Sequence, residues 1–263
     1  MILWCDGAHD AAENMRRDAA LLAAAERDAG PVLRLFGFSP PGITLGRNQT
    51  PARELDLALC AVHGVGWAVR PTGGRAIFHA EEWTYALAAS CADPEWGGGP
   101  ASTYQRASSL VLRALVRLGV PAELATRPRG AGTPLPRSSR GPAAPCFASA
   151  ARHEVVVQGL KLVGSAQCRT ARAWLQQGSV LLGEGHLRIV DYAALSPAAR
   201  VTVRESLGGA AGSAAAWLGS EAPLERFADA LEAELGPSTV RLEGETGAFL
   251  LTASGRGLYS PLV

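Results

Sequence analysis

Residues 145–167 read PCFASAARHEVVVQGLKLVGSAQ, and the prediction of the fold starts from this stretch. Three valines at positions 155–157 favour a β-strand, because β-branched side chains pack well on a pleated surface. Gln158-Gly159 suits a two-residue turn, and residues 160–163 then return as a second strand. The stretch therefore predicts a β-hairpin, with a cysteine ahead of it and a lysine in its second strand.

The lysine of this hairpin, Lys161, is the only one in 263 residues, so the other 24 of the 25 basic side chains are arginine. Arginine serves most surface roles but cannot lose its proton near neutral pH. Strand alternation places Leu160 and Leu162 on one face, and Lys161 and Val163 on the other. Partial desolvation beside valine favours the neutral amine. We predict a catalytic lysine; the alternative is a lysine left by drift in an arginine-rich chain.

Two short segments of small residues are candidate ligand contacts. Gly164, Ser165 and Ala166 follow the lysine strand and let backbone N–H groups approach a ligand. Thr72-Gly73-Gly74-Arg75 lies between two predicted strands, so it does not fit a phosphate loop that opens a helix. Arg70 before this segment and His79 after it favour an anion or acyl-carrier site. A glycine hairpin turn is the alternative.

Cys146 follows residues 127–145, RPRGAGTPLPRSSRGPAAP, which are too polar and too rich in Pro and Gly to bury a core. This composition predicts a mobile loop of the kind that covers active sites. Arginines 137, 140 and 152 could stabilise a thiolate, which makes Cys146 a candidate nucleophile. The alternative is a small buried hydrophobe.

Composition limits the class of protein. A chain of 27.3 kDa with 48% hydrophobic residues can bury one sizeable core, and we predict a single domain over residues 1–263. No apolar run reaches the ~18 residues of a membrane span. A net charge of +1 argues against a nucleic-acid surface. Five cysteines without CxxC, and histidines without ligand spacing, predict neither disulfides nor a metal site. We expect a cytoplasmic protein.

Hydrophobic periodicity predicts an α+β fold, in which helices alternate irregularly with short, hairpin-linked strands. Besides the hairpin, strands are predicted over residues 2–5, 32–38, 43–47, 66–70, 76–79, 82–91, 174–182, 239–242 and 247–252. Helices are predicted over residues 11–27, 53–63, 104–118, 194–207 and 222–235.

Four segments together resemble the biotin/lipoate protein ligase superfamily. They are DGAHDAAENMRRDAALL at 6–22, ITLGRNQTPARELD at 43–56, VRPTGGRAIFHAEEWTYALA at 69–88 and GLKLVGSAQCRTARAWLQQGSVLL at 159–182. They occur in one order across most of residues 1–190. The resemblance implies the mixed-sheet catalytic domain of that superfamily, here without the C-terminal accessory domain of many ligases.

Within the superfamily, PCF at 145–147 and the TGGRA segment resemble the octanoyltransferases. The resemblance implies that an octanoyl group passes from acyl carrier protein, through a thioester on Cys146, to a lysine of a lipoyl domain or glycine-cleavage H protein. No cofactor is implied. Lys161 would hold the carbonyl oxygen and move protons. The implied substrate-binding residues are Arg70, Thr72, Gly73, Gly74, Arg75, His79, Gly164, Ser165, Ala166, Gln167 and Gly178.

One departure and two alternatives stay open. Gln177 stands where the superfamily usually has histidine, which leaves the contacts near the acyl head group undetermined. An ATP-dependent lipoate-protein ligase would need a nucleotide and would not need Cys146. A non-catalytic member that binds acyl groups or partner proteins would need neither.

Overall fold

The computed structural model describes residues 1–125 and 154–248. The predictions for residues 127–145, Cys146 and Arg152, and for 249–252 within the last predicted strand, lie outside these ranges. The described strands are β1 Ile2–His9, β2 Val32–Phe38, β3 Gly42–Leu45, β4 Trp67–Val69, β5 Ile77–His79, β6 Glu82–Ser90, β7 Ala122–Leu124, β8 Val155–Val157, β9 Leu160–Lys161, β10 Val163–Arg169, β11 Ala173–Leu181 and β12 Val240–Glu243. The helices are α1 Ala11–Ala25, α2 Pro51–Glu54, α3 Leu57–Val62, α4 Pro100–Arg117, α5 Ile189–Tyr192, α6 Pro197–Ala210, α7 Ala215–Leu218 and α8 Leu224–Leu235.

The largest element is a six-stranded mixed sheet in the order β10-β11-β6-β2-β1-β12. Strand β1 is parallel to both of its neighbours, while the remaining pairs are antiparallel. Both faces are covered. Trp83, Tyr85 and Leu87 of β6 lie in the core formed with α4 and α8, whereas Ala86 and Ala88 lie in the core formed with α1. The predicted α+β class is confirmed.

Two three-stranded sheets complete the described β-structure, with the orders β4-β3-β5 and β7-β8-β9. The predicted hairpin joins β8 to β9. Its turn residues, Gln158 and Gly159, have φ values of 51° and 76°, the left-handed geometry that a two-residue hairpin turn requires. The register Val156 with Lys161 and Val157 with Leu160 confirms the hairpin.

The return strand is shorter than predicted. It ends at Lys161, and Leu162 carries the chain from the small sheet into the six-stranded sheet, where β10 begins at Val163. The Leu162 amide still donates to the Val155 carbonyl (3.0 Å), while the Leu162 carbonyl accepts from Leu181 in β11 (3.1 Å). Leu162 therefore takes part in the hydrogen bonding of both sheets. The alternation of apolar and polar residues along the chain does not predict this.

The helix predicted over residues 53–63 is wrong as one element. It divides at Leu55, which pairs with Ala193, and Asp56 then caps α3 by accepting from the Leu59 amide (3.0 Å).

Two other helices begin at different residues from those predicted, since Pro100 and Pro197 occupy the first turns of α4 and α6. Gly247 lies in a 3₁₀ turn rather than in the predicted strand. Among the described helices, none has the length and apolar character needed to cross a bilayer.

Candidate active site

A pocket lies between the six-stranded sheet and the β4-β3-β5 sheet. Its cavity volume is about 40 Å³, and the empty space is about 390 Å³ when the open, solvent-filled mouth is counted. Its apolar wall comes from α1, β2, β5 and β10, through Met15, Phe36, Phe38, Ile77 and Ala166. Several residues predicted from the sequence also line it: Arg70, His79, Gly164, Ser165, Ala166 and Gly178. The packing of the two sheets thus collects residues that are more than 100 positions apart.

Arg70 holds the shape of the adjacent Thr72–Arg75 segment. Its guanidinium donates to the carbonyls of Gly73 (2.8 Å), Arg75 (2.9 Å) and Thr44 (3.2 Å). Gly74 has φ 95°, and a Cβ there would lie 2.6 Å from an Arg70 nitrogen. A glycine is therefore required by both backbone geometry and close approach. The sequence analysis considered Arg70 as part of an anion or acyl-carrier site. In the structure its guanidinium also fixes the conformation of the Thr72–Arg75 segment.

His79 is fixed on both sides of its ring. Nδ1 lies 2.6 Å from Glu82 Oε1, Nε2 lies 2.7 Å from Thr44 Oγ1, and the ring stacks on Phe38 at 3.8 Å. The Glu82 oxygen also accepts from Ser179 and Thr84 (2.9 and 2.8 Å). Because a carboxylate only accepts hydrogen bonds, Nδ1 donates to Glu82, and Nε2 is hydrogen-bonded to the threonine hydroxyl. The ring is therefore a rigid wall of the pocket.

Gln177 also lines the pocket, and its side-chain amide hydrogen-bonds to protein groups rather than to the pocket interior. Its Oε1 accepts from Thr72 Oγ1 (2.7 Å) and its Nε2 donates to Asp18 Oδ2 (2.5 Å). The polar groups of Gln177, His79, Ser179 and Thr84 are thus hydrogen-bonded within the protein. An apolar ligand in the pocket would leave none of these polar groups without a hydrogen bond. The pocket can therefore accept an alkyl chain although several lining residues are polar.

Ser165, Gly178 and Tyr85 lie side by side on three neighbouring strands. The tyrosine ring crosses over Gly178, and its hydroxyl reaches Ser165 Oγ at 2.8 Å. Burial raises the pKa of the Tyr85 phenol and the Glu154 carboxylate raises it further, while the bonds to Ser165 and Gln176 oppose this. The Tyr85 ring leaves no room for a Cβ at residue 178, so glycine is required there. The sequence alone does not reveal this contact.

We expect Gly178→Ala to destabilise the fold by about 1–3 kcal/mol, because a Cβ would overlap the Tyr85 ring. Thermal unfolding of Gly178→Ala, Tyr85→Leu and the double variant measures this. The double variant should lose less than the sum of the single losses, since leucine vacates the space over residue 178. Additive losses would contradict the proposed contact.

Lys161 is buried, at 4% relative exposure, and not partly exposed as the strand pattern suggested. Its Nζ lies 2.6 Å from Glu154 Oε1, and Glu154 is buried as well. Sequence reasoning missed this carboxylate; the available signal was a lone acid directly before the Val155–Val157 strand. Lys161 and Glu154 are not among the residues that line the pocket; Lys161 is three residues upstream of Gly164 in the pocket wall.

The remaining candidates occupy different places. Gln167 lies on the α4 side of the large sheet, where it accepts from Thr103 Oγ1 (3.2 Å) and donates to Gln176 (3.2 Å). Cys146 lies outside the described residues. Away from the pocket, ligand atoms of Asp6, His9 and Glu245 lie within 4.8 Å of one another. Arg17 already pairs with Asp6 and Glu245, so these carboxylates have a cationic partner.

Comparison with known proteins gives one family match and a set of sequence relatives. The family described as "Lipoyl protein ligase A/B catalytic domain" matches residues 10–236. The chain is 40% identical over 177 residues to an octanoyltransferase LipM of Kyrpidia tusciae, covering 67% of this chain and 64% of that protein. It is 38% identical over 171 residues to octanoyltransferase LipM of Symbiobacterium thermophilum, covering 65% and 61%. The chain thus spans just under two thirds of the length of these relatives.

Solved structures show the same fold at low sequence identity. A crystal structure of lipoate-protein ligase A bound with ATP has a TM-score of 0.64 at 17% identity, covering 95% of this chain and 92% of that one. A bipartite lipoate protein ligase of Thermoplasma acidophilum has a TM-score of 0.67 at 16% identity, covering 95% and 91%. These similarities support the assignment of the fold.

Proposed function

Because the chain belongs to the lipoyl protein ligase A/B catalytic domain family, we propose that it is an octanoyltransferase. The group transferred is an octanoyl chain, carried first as a thioester and delivered to a lysine amine as an amide. The donor is octanoyl-acyl carrier protein, and the acceptor is a lipoyl domain or the glycine-cleavage H protein. The relatives at 38–40% identity, whose names state octanoyltransferase activity, support this choice.

The observation that carries the proposal is the pocket wall. It is lined by the apolar side chains of Met15, Phe36, Phe38 and Ile77. The polar side chains of His79, Gln177 and Ser179 in the lining hydrogen-bond to partners within the protein. Burying an alkyl chain against such a wall gains about 0.8 kcal/mol per methylene and leaves no polar group newly unpaired. A phosphate or sugar would not replace the water it loses with equivalent bonds.

The first half-reaction forms an acyl-enzyme. The Cys146 thiolate attacks the thioester carbonyl of the donor, a new C–S bond forms, and the bond to the carrier thiol breaks. The carrier thiolate then takes a proton. One thioester replaces another, so the step is nearly isoenergetic and needs no ATP. Residues 164–166 and the Gly73-Gly74 segment would hold the chain and its carbonyl.

The second half-reaction makes an amide. The neutral amine of the acceptor lysine attacks the Cys146 thioester, the C–N bond forms, the Cys146 thiolate leaves and the amine loses a proton. Lys161 would donate to the carbonyl oxygen as negative charge develops on it. Glu154 would hold the Lys161 ammonium in place, since the two side chains pair at 2.6 Å in a buried position. The reaction runs downhill because an amide replaces a thioester.

Two further parts of the proposal concern the whole chain. We infer that residues 1–263 act as one catalytic domain. We also infer that the reaction takes place in the cytoplasm, where an acyl carrier protein and lipoyl domains would meet the enzyme.

Mixing the protein with octanoyl-acyl carrier protein, without nucleotide, tests the proposal. Intact mass should show one octanoyl adduct, which hydroxylamine removes because the bond is a thioester. Octanoylation of an acceptor lipoyl domain that requires ATP and free octanoate, without an adduct on the protein itself, would replace the proposal with a ligase. Neither an adduct nor an octanoylated acceptor under either condition would leave a non-catalytic member of the family.

A further inference from the structure

Gln177 joins helix α1 to the segment that follows β4. It lies in the middle of β11 at 7% relative exposure. Asp18 of α1 accepts from its Nε2 at 2.5 Å, Met15 Sδ lies 3.4 Å from the same nitrogen, and Thr72 donates to its Oε1 at 2.7 Å. Thr72 and Asp18 are fully buried. One amide thus bridges two buried polar groups that belong to different parts of the molecule.

Chemistry fixes the orientation of the amide. A carboxylate only accepts hydrogen bonds, so the Gln177 NH₂ group must face Asp18. Its oxygen then faces Thr72, whose hydroxyl can donate. Reversal of the amide would place two acceptors, Gln177 Oε1 and the Asp18 carboxylate, against each other in a buried site, which costs the full desolvation of an unpaired group.

The anchor behind Gln177 is a buried network of charges. Arg34 has no exposed surface, and its three nitrogens donate to Asp18 (2.6 Å), to Asp6 (2.7 Å) and to Asn14 Oδ1 (2.7 Å). Burial raises the pKa of Asp18, and Arg34 opposes this. Residues of β1, α1 and β2 thus fix the Asp18 carboxylate, and this carboxylate accepts the hydrogen bond from the Gln177 amide.

On these contacts we propose that Gln177 is a positioning residue that fixes the Thr72-Gly73-Gly74 segment against the acyl pocket. The inference rests on the proposed acyl transfer. The Thr72 hydroxyl ties this segment to the large sheet, and Gly74 lies across from Ala166 in the pocket wall. Loss of the bridge frees the segment to move away from the carbonyl it would hold.

Gln177→Glu provides the sharpest test, because it keeps the shape and changes one donor. The introduced carboxyl group can still donate to Asp18 while it is protonated, whereas its ionised form puts two carboxylates together. Burial and the Asp18 carboxylate both raise the pKa of the introduced group. Activity is therefore present below that pKa and lost as pH rises through it. We expect the acylation rate, divided by that of the wild type at each pH, to fall at least about tenfold between low and high pH.

Dividing by the wild-type rate removes the titration of groups that the substitution does not contact, such as the attacking cysteine, whereas Asp18 and the introduced carboxyl group titrate as a coupled pair. Gln105→Glu is the matched control, because Gln105 is exposed on α4 and should give a flat ratio.

The double variant Asp18→Asn/Gln177→Glu reverses donor and acceptor while conserving charge. The NH₂ group of the introduced asparagine donates to the introduced carboxylate, and its amide oxygen still accepts from Arg34. This variant should recover most of the rate at high pH. Because ionisation of a buried carboxyl group also lowers the free energy of unfolding, the melting temperature of each variant is measured at every pH, and the ratio is compared only where the variant remains folded.

Amide hydrogen exchange of residues 70–76 provides a readout that does not need the reaction. Gln177→Leu should increase exchange there and leave β6 protected. A wild type that forms no acyl adduct defeats the proposed function, and the exchange result then still decides the positioning role. A wild type that is acylated, together with a flat ratio for Gln177→Glu and unchanged exchange for Gln177→Leu, overturns the inference about Gln177.

Discussion

Cys146→Ala is expected to form no octanoyl adduct and to transfer no octanoyl group to an acceptor domain. Removal of a covalent nucleophile costs on the order of 10⁶-fold in rate where it has been measured in a serine protease. The thioester intermediate cannot form without the sulfur, so neither half-reaction proceeds. Intact mass after mixing with octanoyl-acyl carrier protein, and acceptor octanoylation over time, measure the two losses separately.

The described cysteines provide the controls. Burial raises the pKa of the Cys5 thiol to about 11, and burial also raises the pKa of Cys60 and of Cys168, so few of these thiols ionise at neutral pH. Cys91 is the sharpest control, since it is half-buried and its Sγ accepts from Arg169 at 3.0 Å. Cys91→Ala should keep the adduct. An adduct that persists in Cys146→Ala, or disappears in Cys91→Ala, would place the nucleophile elsewhere.

Lys161→Arg is expected to slow transfer by about 100- to 1000-fold, the usual cost of one oxyanion-stabilising donor. Arginine keeps the charge but offers a larger, planar group that does not release its proton. Because Lys161 is buried against Glu154 at 2.6 Å, the guanidinium must also displace its surroundings. A rate within about threefold of the wild type at an unchanged melting temperature would contradict the role proposed for the amine.

The buried ion pair allows stability and catalysis to be separated. Lys161→Met alone removes the ammonium that pairs with the buried Glu154 carboxylate, which should cost about 3–5 kcal/mol of folding free energy. The double variant Glu154→Gln/Lys161→Met removes both charges and should melt near the wild type. Its transfer should stay as slow as that of Lys161→Met. Recovery of transfer together with stability would show that the pair is structural.

Local pattern was sufficient for several elements. β2 lies at the predicted residues 32–38, α1 begins at the predicted Ala11, and the turn at Gln158-Gly159 has the geometry its residues imply. Each depends on neighbours within a few positions: alternation, helical spacing or the φ preference of glycine. The order of the four recognisable segments also sufficed for the family, which the match over residues 10–236 bears out.

Local sequence pattern could not predict which side chains that are distant in the sequence contact one another. Glu154 beside Lys161, Tyr85 over Gly178, and Asp18 with Thr72 around Gln177 depend on sheet register and on the packing of α1. Periodicity reports which face of a strand is buried, but many registers satisfy the same alternation. The sequence by itself determined the hairpin, the α+β class and the residues worth testing. Only the tertiary structure decided which buried groups pair, because hydrogen bonds are specific to a few tenths of an ångström and hydrophobic burial is not directional.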